Sequence, residues 1–326
     1  MGLLAFDFMV RALVAGALTG VMAPAVGTYI VQRRLSLLGD GLGHVAIAGV
    51  GLALLTGQAP VPVAIVVTVA GAVAIELLRQ SGRATGDVGL AILFYGGLAA
   101  GVLMAGLAGH GAGSLSQYLF GSLTSVSGGD VLVVAAMAVV VLTCALGLSP
   151  QLFAVGADED YARTQGLPTR ALNLLIVVLA AITVAISMRT VGLLLVSALM
   201  VIPVAISQNV VRGFRRGLGT SMVLGLVLSV GGVVASYHLD SATGPTIVVL
   251  AVLVFVLTLP LSSILERHRR AHHPDPTEEE PLFERAEPHE SMTEAHDRIA
   301  VLHGDHVDYL HGGHRHAPHG DHFDEH

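Results

Sequence analysis

Residues 36–52 read Ser36-Leu37-Leu38-Gly39-Asp40-Gly41-Leu42-Gly43-His44-Val45-Ala46-Ile47-Ala48-Gly49-Val50-Gly51-Leu52. Beyond Asp40 and His44 the stretch holds no ionisable group, so it reads as an apolar helix with two such groups at its edge. In a helix those positions lie four residues apart, on one face and one turn from each other, where a carboxylate and an imidazole can meet one cation. Ionisable residues in such a segment are costly and by default mark a functional site. The plainer reading makes Asp40 a favourable charge near the positive end of the helix dipole and His44 a hydrogen-bonding partner of a neighbouring helix. Spacing alone leaves both open.

Composition sets the context of that helix. Hydrophobic residues make up 53% of the 326 residues and charged residues 13%, with a mean hydropathy of +0.72. That balance belongs to a polytopic membrane protein, an all-α bundle in the cell membrane, and not to two soluble domains of the same length. The single cysteine, Cys144, excludes an intrachain disulfide and a cysteine metal cluster. All 17 basic residues are arginines. A Walker A loop needs a lysine, so the chain has no such nucleotide site and is not itself an ATPase of that kind.

Apolar runs follow at 8–31, through the opening stretch to 56, and at 61–78, 88–107, 131–148, 171–188, 191–207, 218–237 and 246–265. Each falls within the roughly 17–25 apolar residues with which a helix crosses a bilayer. The turn at Arg189-Thr190 is tight enough that 171–207 also reads as one broken unit, which leaves eight or nine spans. Pro203 lies inside an apolar run, tolerated where neighbours satisfy the freed backbone. Residues 109–129 are too polar and glycine-rich to span and read as a loop with a short interfacial helix near Tyr118-Leu119-Phe120. His110 there reads as a loop histidine, and His238 and Asp240 as interfacial polar residues. Arginines at 33–34, 79–83, 163–170, 212–216 and 267–270 fall on one side of the membrane, which the positive-inside rule makes cytoplasmic. The polar stretch 156–170 has acids first (Asp158, Glu159, Asp160), then Arg163, then Gly166 and Pro168. That order suits a short capped helix, either a solvated loop or a docking element.

Residues 1–267 thus form a membrane domain and 268–326 a tail of different character. The tail is acidic, poor in branched aliphatics and rich in histidine, and reads as disordered without a ligand. His303, His306, His311, His314, His316, His319, His322 and His326 alternate with Asp305, Asp308, Asp321, Asp324 and Glu325. Interleaved acids separate this tract from a purification tag. Imidazole and carboxylate together suit zinc and related ions, and a flexible tract would hold several of them weakly.

Four stretches, in order, carry a family resemblance: Arg33-Arg34-Leu35-Ser36-Leu37-Leu38-Gly39-Asp40-Gly41-Leu42-Gly43-His44; Tyr118-Leu119-Phe120-Gly121-Ser122-Leu123; Val191-Gly192-Leu193-Leu194-Leu195-Val196-Ser197-Ala198-Leu199-Met200-Val201-Ile202-Pro203; and Ser241-Ala242-Thr243-Gly244-Pro245-Thr246-Ile247-Val248. Residues 8–265 resemble the membrane-permease family of ABC importers for zinc, manganese and iron. The resemblance implies a pore of two permease subunits, a separate cytoplasmic ATPase and an extracytoplasmic metal-binding protein that delivers the ion. It implies no permanently bound cofactor, zinc or else manganese as cargo, and Asp40 and His44 as metal-contacting residues of the path. It makes Asp158, Glu159, Asp160, Ala162 and Gly166 the coupling helix that meets the ATPase, and Gly192, Pro203, Gly244 and Pro245 family structural positions. One departure stands out, since Gly41 and Gly43 replace the Ala and Ser that many members carry and loosen that turn. A secondary zinc carrier and a membrane-anchored metal sensor are the competing readings.

Overall fold

The computed structural model describes residues 7–82, 86–110, 113–121, 126–272, 299–303, 306–311, 314–319 and 322–325, with side chains as far as 260 apart from 86 and 87. The chain divides into two compact units, 1–262 and 263–326.

The first unit is helical. In chain order the helices of the chain are α1 (Asp7–Gln32), α2 (Leu38–Thr56), α3 (Pro60–Gln80), α4 (Gly86–Leu107), α5 (Gly113–Phe120), α6 (Gly128–Gly147), α7 (Ser149–Ala157), α8 (Glu159–Thr164), α9 (Thr169–Thr190), α10 (Leu193–Val210), α11 (Phe214–Leu239) and α12 (Thr243–His272), which continues past residue 262. Among the described residues, nine of these helices are long and apolar enough to cross a membrane: all but α5, α7 and α8. Each apolar run of the sequence corresponds to one of them. α9 and α10 are separate helices, joined by Val191 and Gly192 alone.

Burial sorts the nine into an interior and a perimeter. The apolar windows of α1, α2 and α9 are 61%, 78% and 72% buried, against 22–28% for α3, α4, α6 and α12. The perimeter helices turn large apolar side chains such as Val66, Leu103, Leu132 and Leu257 outward, as a lipid-facing surface requires. Between interior helices there is no water to expel, so association rests on close contact of small residues and on interhelical hydrogen bonds. Both are present. A Cβ on Gly27 would overlap the Met200 carbonyl, and one on Gly20 would lie 2.6 Å from the Gly225 oxygen. The Ser229 hydroxyl donates to the Gly16 carbonyl at 2.7 Å, and the Tyr29 hydroxyl donates to Ala145 O at 2.6 Å.

Three family stretches converge at one end of the bundle. Gly192, with φ +91°, makes the turn into α10. A Cβ there would stand 2.5 Å from backbone atoms of Phe120 and Gly121. A Cβ on Gly121 would in turn lie 2.5 Å from Val191, and one on Gly244 would lie 2.8 Å from Phe120 O. Three chain segments therefore touch backbone to backbone, which only glycine permits. The short helix expected near Tyr118 is α5, but it packs into the bundle against α2, α4, α9 and α10, with Leu115 and Tyr118 buried. Nearby, Ser127 and Asp130 form a reciprocal capping box at the start of α6, and Asp130 pairs with Arg189 at 3.2 Å.

α7 also differs from its reading in sequence. Ser149-Pro150 ends α6 but also starts α7, because proline in the first turn of a helix removes an N–H that has no partner there anyway.

The second unit is described over part of its length. Residues 273–298 lie outside the described residues. Beyond them β1 (Ile299–His303), β2 (His306–His311), β3 (His314–His319) and β4 (His322–Glu325) form an antiparallel sheet in the order β1-β2-β3-β4. The strands are separated by Gly304-Asp305, Gly312-Gly313 and Gly320-Asp321, dipeptides of the type that connects two-residue hairpins. Composition alone hides this: the branched and aromatic residues Ile299, Val301, Leu302, Val307, Tyr309, Leu310 and Phe323 are few in the tail but concentrated between those dipeptides.

Candidate metal-transit site

Asp40 and His44 lie in the first two turns of α2, a regular helix through Gly41 and Gly43. The turn expected to be loose is held by packing. A Cβ on Gly43 would fall onto the side chain of Leu193, so glycine there lets the start of α10 sit against the helix one residue before His44. The Asp40 Oδ2 and His44 Nε2 atoms stand 3.9 Å apart, beyond hydrogen-bond length. Zinc binds imidazole nitrogen and carboxylate oxygen at about 2.0–2.2 Å, so one ion between the two atoms reaches both.

The surroundings fix the imidazole and leave the carboxylate accessible. The His44 ring meets Phe94 of α4 edge to face, with centroids 4.1 Å apart, and its Nδ1 is buried with no hydrogen-bond partner. The His44 side chain is 11% exposed and that of Asp40 27%. Among residues whose side chains are described, no three His, Cys, Asp or Glu residues gather into a metal site. A single chain thus offers two ligands and no closed cage.

A second polar cluster, not singled out in the sequence, lies at the Arg33 end of the bundle. Glu76 of α3, 2% exposed, accepts from Arg79 at 2.7 and 2.9 Å, from Gln80 at 3.0 Å and from Arg33 at 3.3 Å. Arg33 also donates to Asn173 O of α9 at 3.5 Å. Burial lowers the Arg33 guanidinium pKa, and the Glu76 charge pulls it back up. The signal was present in sequence as a lone acid in an apolar run opposite an Arg-Arg pair, which merits a search for a partner.

α8 is a capped helix, as its residue order suggested. The Asp158 carboxylate accepts from Tyr161 N at 2.9 Å, Glu159 and Asp160 pair with Arg163 at 3.2 and 3.5 Å, and Gly166 turns the chain with φ +79°. Asp160 and Arg163 are exposed, whereas Ala162 is fully buried. Ala162 therefore anchors α8 to the bundle and offers no surface to a partner.

The remaining sequence candidates are placed as follows. Pro203 is buried within α10, and Gly244 and Pro245 lie in the first turn of α12. His110 is an exposed turn residue whose Nδ1 lies 3.1 Å from Ala108 O. His238 and Asp240 are exposed at the end of α11, where Asp240 is the left-handed C-cap. None of these joins Asp40 and His44.

Residues 5–262 match the family described as the ABC 3 transport family. The chain is 32% identical to the chelated iron transport system membrane protein of Yersinia pestis, over 78% of this chain and 86% of that one. It is 27% identical to the high-affinity zinc uptake system membrane protein of Haemophilus influenzae, over 78% of this chain and 97% of that one. Among solved structures it is similar to PsaBC from Streptococcus pneumoniae in complex with a Fab, at 27% identity and a TM-score of 0.69, covering 79% of this chain and 92% of that one.

Proposed function

The chain belongs to the ABC 3 transport family, and from that premise we propose that it is the membrane-spanning subunit of an ATP-driven importer of a divalent transition metal, with Asp40 and His44 contacting the ion in transit. The observation that carries the reading is the Asp40–His44 pair: two ligands 3.9 Å apart, one fixed and one accessible, on an interior helix. Two ligands hold an ion weakly enough to release it, which conduction requires. A second copy placed about a twofold axis would bring an identical pair and complete a transient four-ligand N/O site.

ATP hydrolysis falls to a separate cytoplasmic subunit, and an extracytoplasmic binding protein delivers the ion. The exposed charged face of α8 suits docking on that ATPase, and the Arg33–Glu76–Arg79 cluster ties the turn after α1 to α3 and α9. With the arginine-bearing loops cytoplasmic, nine crossings put the N-terminal end outside and the tail in the cytoplasm. Zinc is the first choice of ion and manganese the second. The zinc- and iron-named relatives support the class of ion, while geometry and availability select among its members.

Reconstitution tests this reading. Vesicles holding the permease with its ATPase and binding protein are expected to accumulate zinc only with ATP and only with all three components. Uptake by the permease alone, driven by an ion gradient, would instead establish a secondary carrier.

A further inference from the structure

The tail strands carry a repeat that composition does not reveal. Residues 303–308 read His-Gly-Asp-His-Val-Asp, 311–316 read His-Gly-Gly-His-Arg-His and 319–324 read His-Gly-Asp-His-Phe-Asp. Each copy starts eight residues after the last, and each straddles one strand connection. The register gives the repeat its meaning. His303 is the partner of His306, His311 of His314, and His319 of His322. Every hairpin is therefore closed by a directly opposed pair of histidines.

Directly opposed residues in an antiparallel pair occupy one face, with Cα atoms about 4.5–5.5 Å apart. The third residue of each copy, Asp308, His316 or Asp324, is two positions beyond the second histidine on the same strand. It lies on that same face, about 7 Å along. Each copy thus brings three ligand-type residues to one patch of one face. In the first and third copies they are two histidines and an aspartate; in the middle copy they are three histidines.

The copies are also ordered relative to each other. Tyr309 pairs with His316 and His311 with His314, so continuing that register sets His306 opposite His319. The first and third copies therefore adjoin at one end of the sheet. The middle copy lies at the other end, and since His311 is five residues from His306 on one strand, it occupies the opposite face.

We propose that the tail sheet carries three discrete sites for a divalent ion of the zinc class, one at each hairpin: His303/His306/Asp308, His311/His314/His316 and His319/His322/Asp324. Three ligands from histidine and carboxylate, with a fourth position left for water, is a coordination set such ions accept. This replaces a flexible tract that binds in proportion to its histidine content with three sites fixed by strand register. It does not depend on the transport reading, because its test measures binding and no flux.

The test uses the full chain in detergent, titrated with zinc against a chromophoric chelator and with cobalt(II) followed by visible absorption. His311/His314/His316→Ala is expected to remove one of three tail-bound ions. His289/His296/His326→Ala removes as many histidines and is expected to remove none. Exchanging neighbours, Leu302→His with His303→Leu and His322→Phe with Phe323→His, keeps the histidine count but moves those positions to the other face, and is expected to abolish the first and third sites. His316→Asp gives the middle copy the ligand set of the others and is expected to keep all three ions with an altered cobalt spectrum. Zinc bound in proportion to histidines remaining, in the control and exchange variants alike, would overturn the proposal. So would loss of the middle ion in His316→Asp.

Discussion

The two ends of the bundle are held together by different physics. At the Arg33 end, charged groups from α3 and from the turn after α1 converge on the buried Glu76 carboxylate, with α8 close by. At the Gly192 end, backbone meets backbone, and the conditions are steric: no Cβ at 121, 192 or 244, and φ values that L-residues rarely adopt at 121 and 192. A charged junction depends on every partner being in place and can be biased by another charge brought near it. A glycine junction is indifferent to charge and intolerant of volume. The end that carries α8 is thus built to respond and the opposite end to resist, which suits a subunit driven from one side.

Substitutions separate the two kinds of junction. Glu76→Ala leaves Arg33 buried without its partner and should cost about 3–5 kcal/mol, read as a lowered unfolding temperature in detergent. The double change Arg33→Met with Glu76→Met should recover much of that loss, since no buried charge is then stranded. Gly192→Ala should cost about 2–4 kcal/mol from left-handed strain and overlap with Phe120, and no second charge change should rescue it. Arg189→Gln removes a partly exposed pair with Asp130 and should cost only about 0–1 kcal/mol, an effect that shrinks as salt is added. Equal salt sensitivity of Gly192→Ala and Arg189→Gln would erase the distinction.

Much of this was legible in the sequence because a membrane makes legibility easy. Each crossing helix must be a long apolar run, so each of the nine had a visible counterpart, and the order of acids, Arg163 and Gly166 gave α8. What lay hidden had local signals that point two ways. Pro150 reads as a stop yet begins α7. Tyr118 reads as an interfacial aromatic yet is buried, because Gly121 and Gly192 draw α5 into the bundle. Glu76 is a lone acid near the end of an apolar run, and only packing shows that it gathers two arginines. In the tail, histidine content masked an eight-residue period that the strand register makes plain. For the candidate site the sequence supplied Asp40 and His44 but could not supply Phe94, fifty residues away from His44, or the Leu193 side chain that Gly43 makes room for.

The central claim is that an ion passes between Asp40 and His44. Its most direct test is ATP-driven zinc uptake in vesicles by the Asp40→Asn and His44→Gln chains, each assembled with its ATPase and binding protein. Each change is expected to lower uptake by about tenfold or more, while assembly and ATP hydrolysis persist. Uptake at the unmodified rate in both variants would contradict the account.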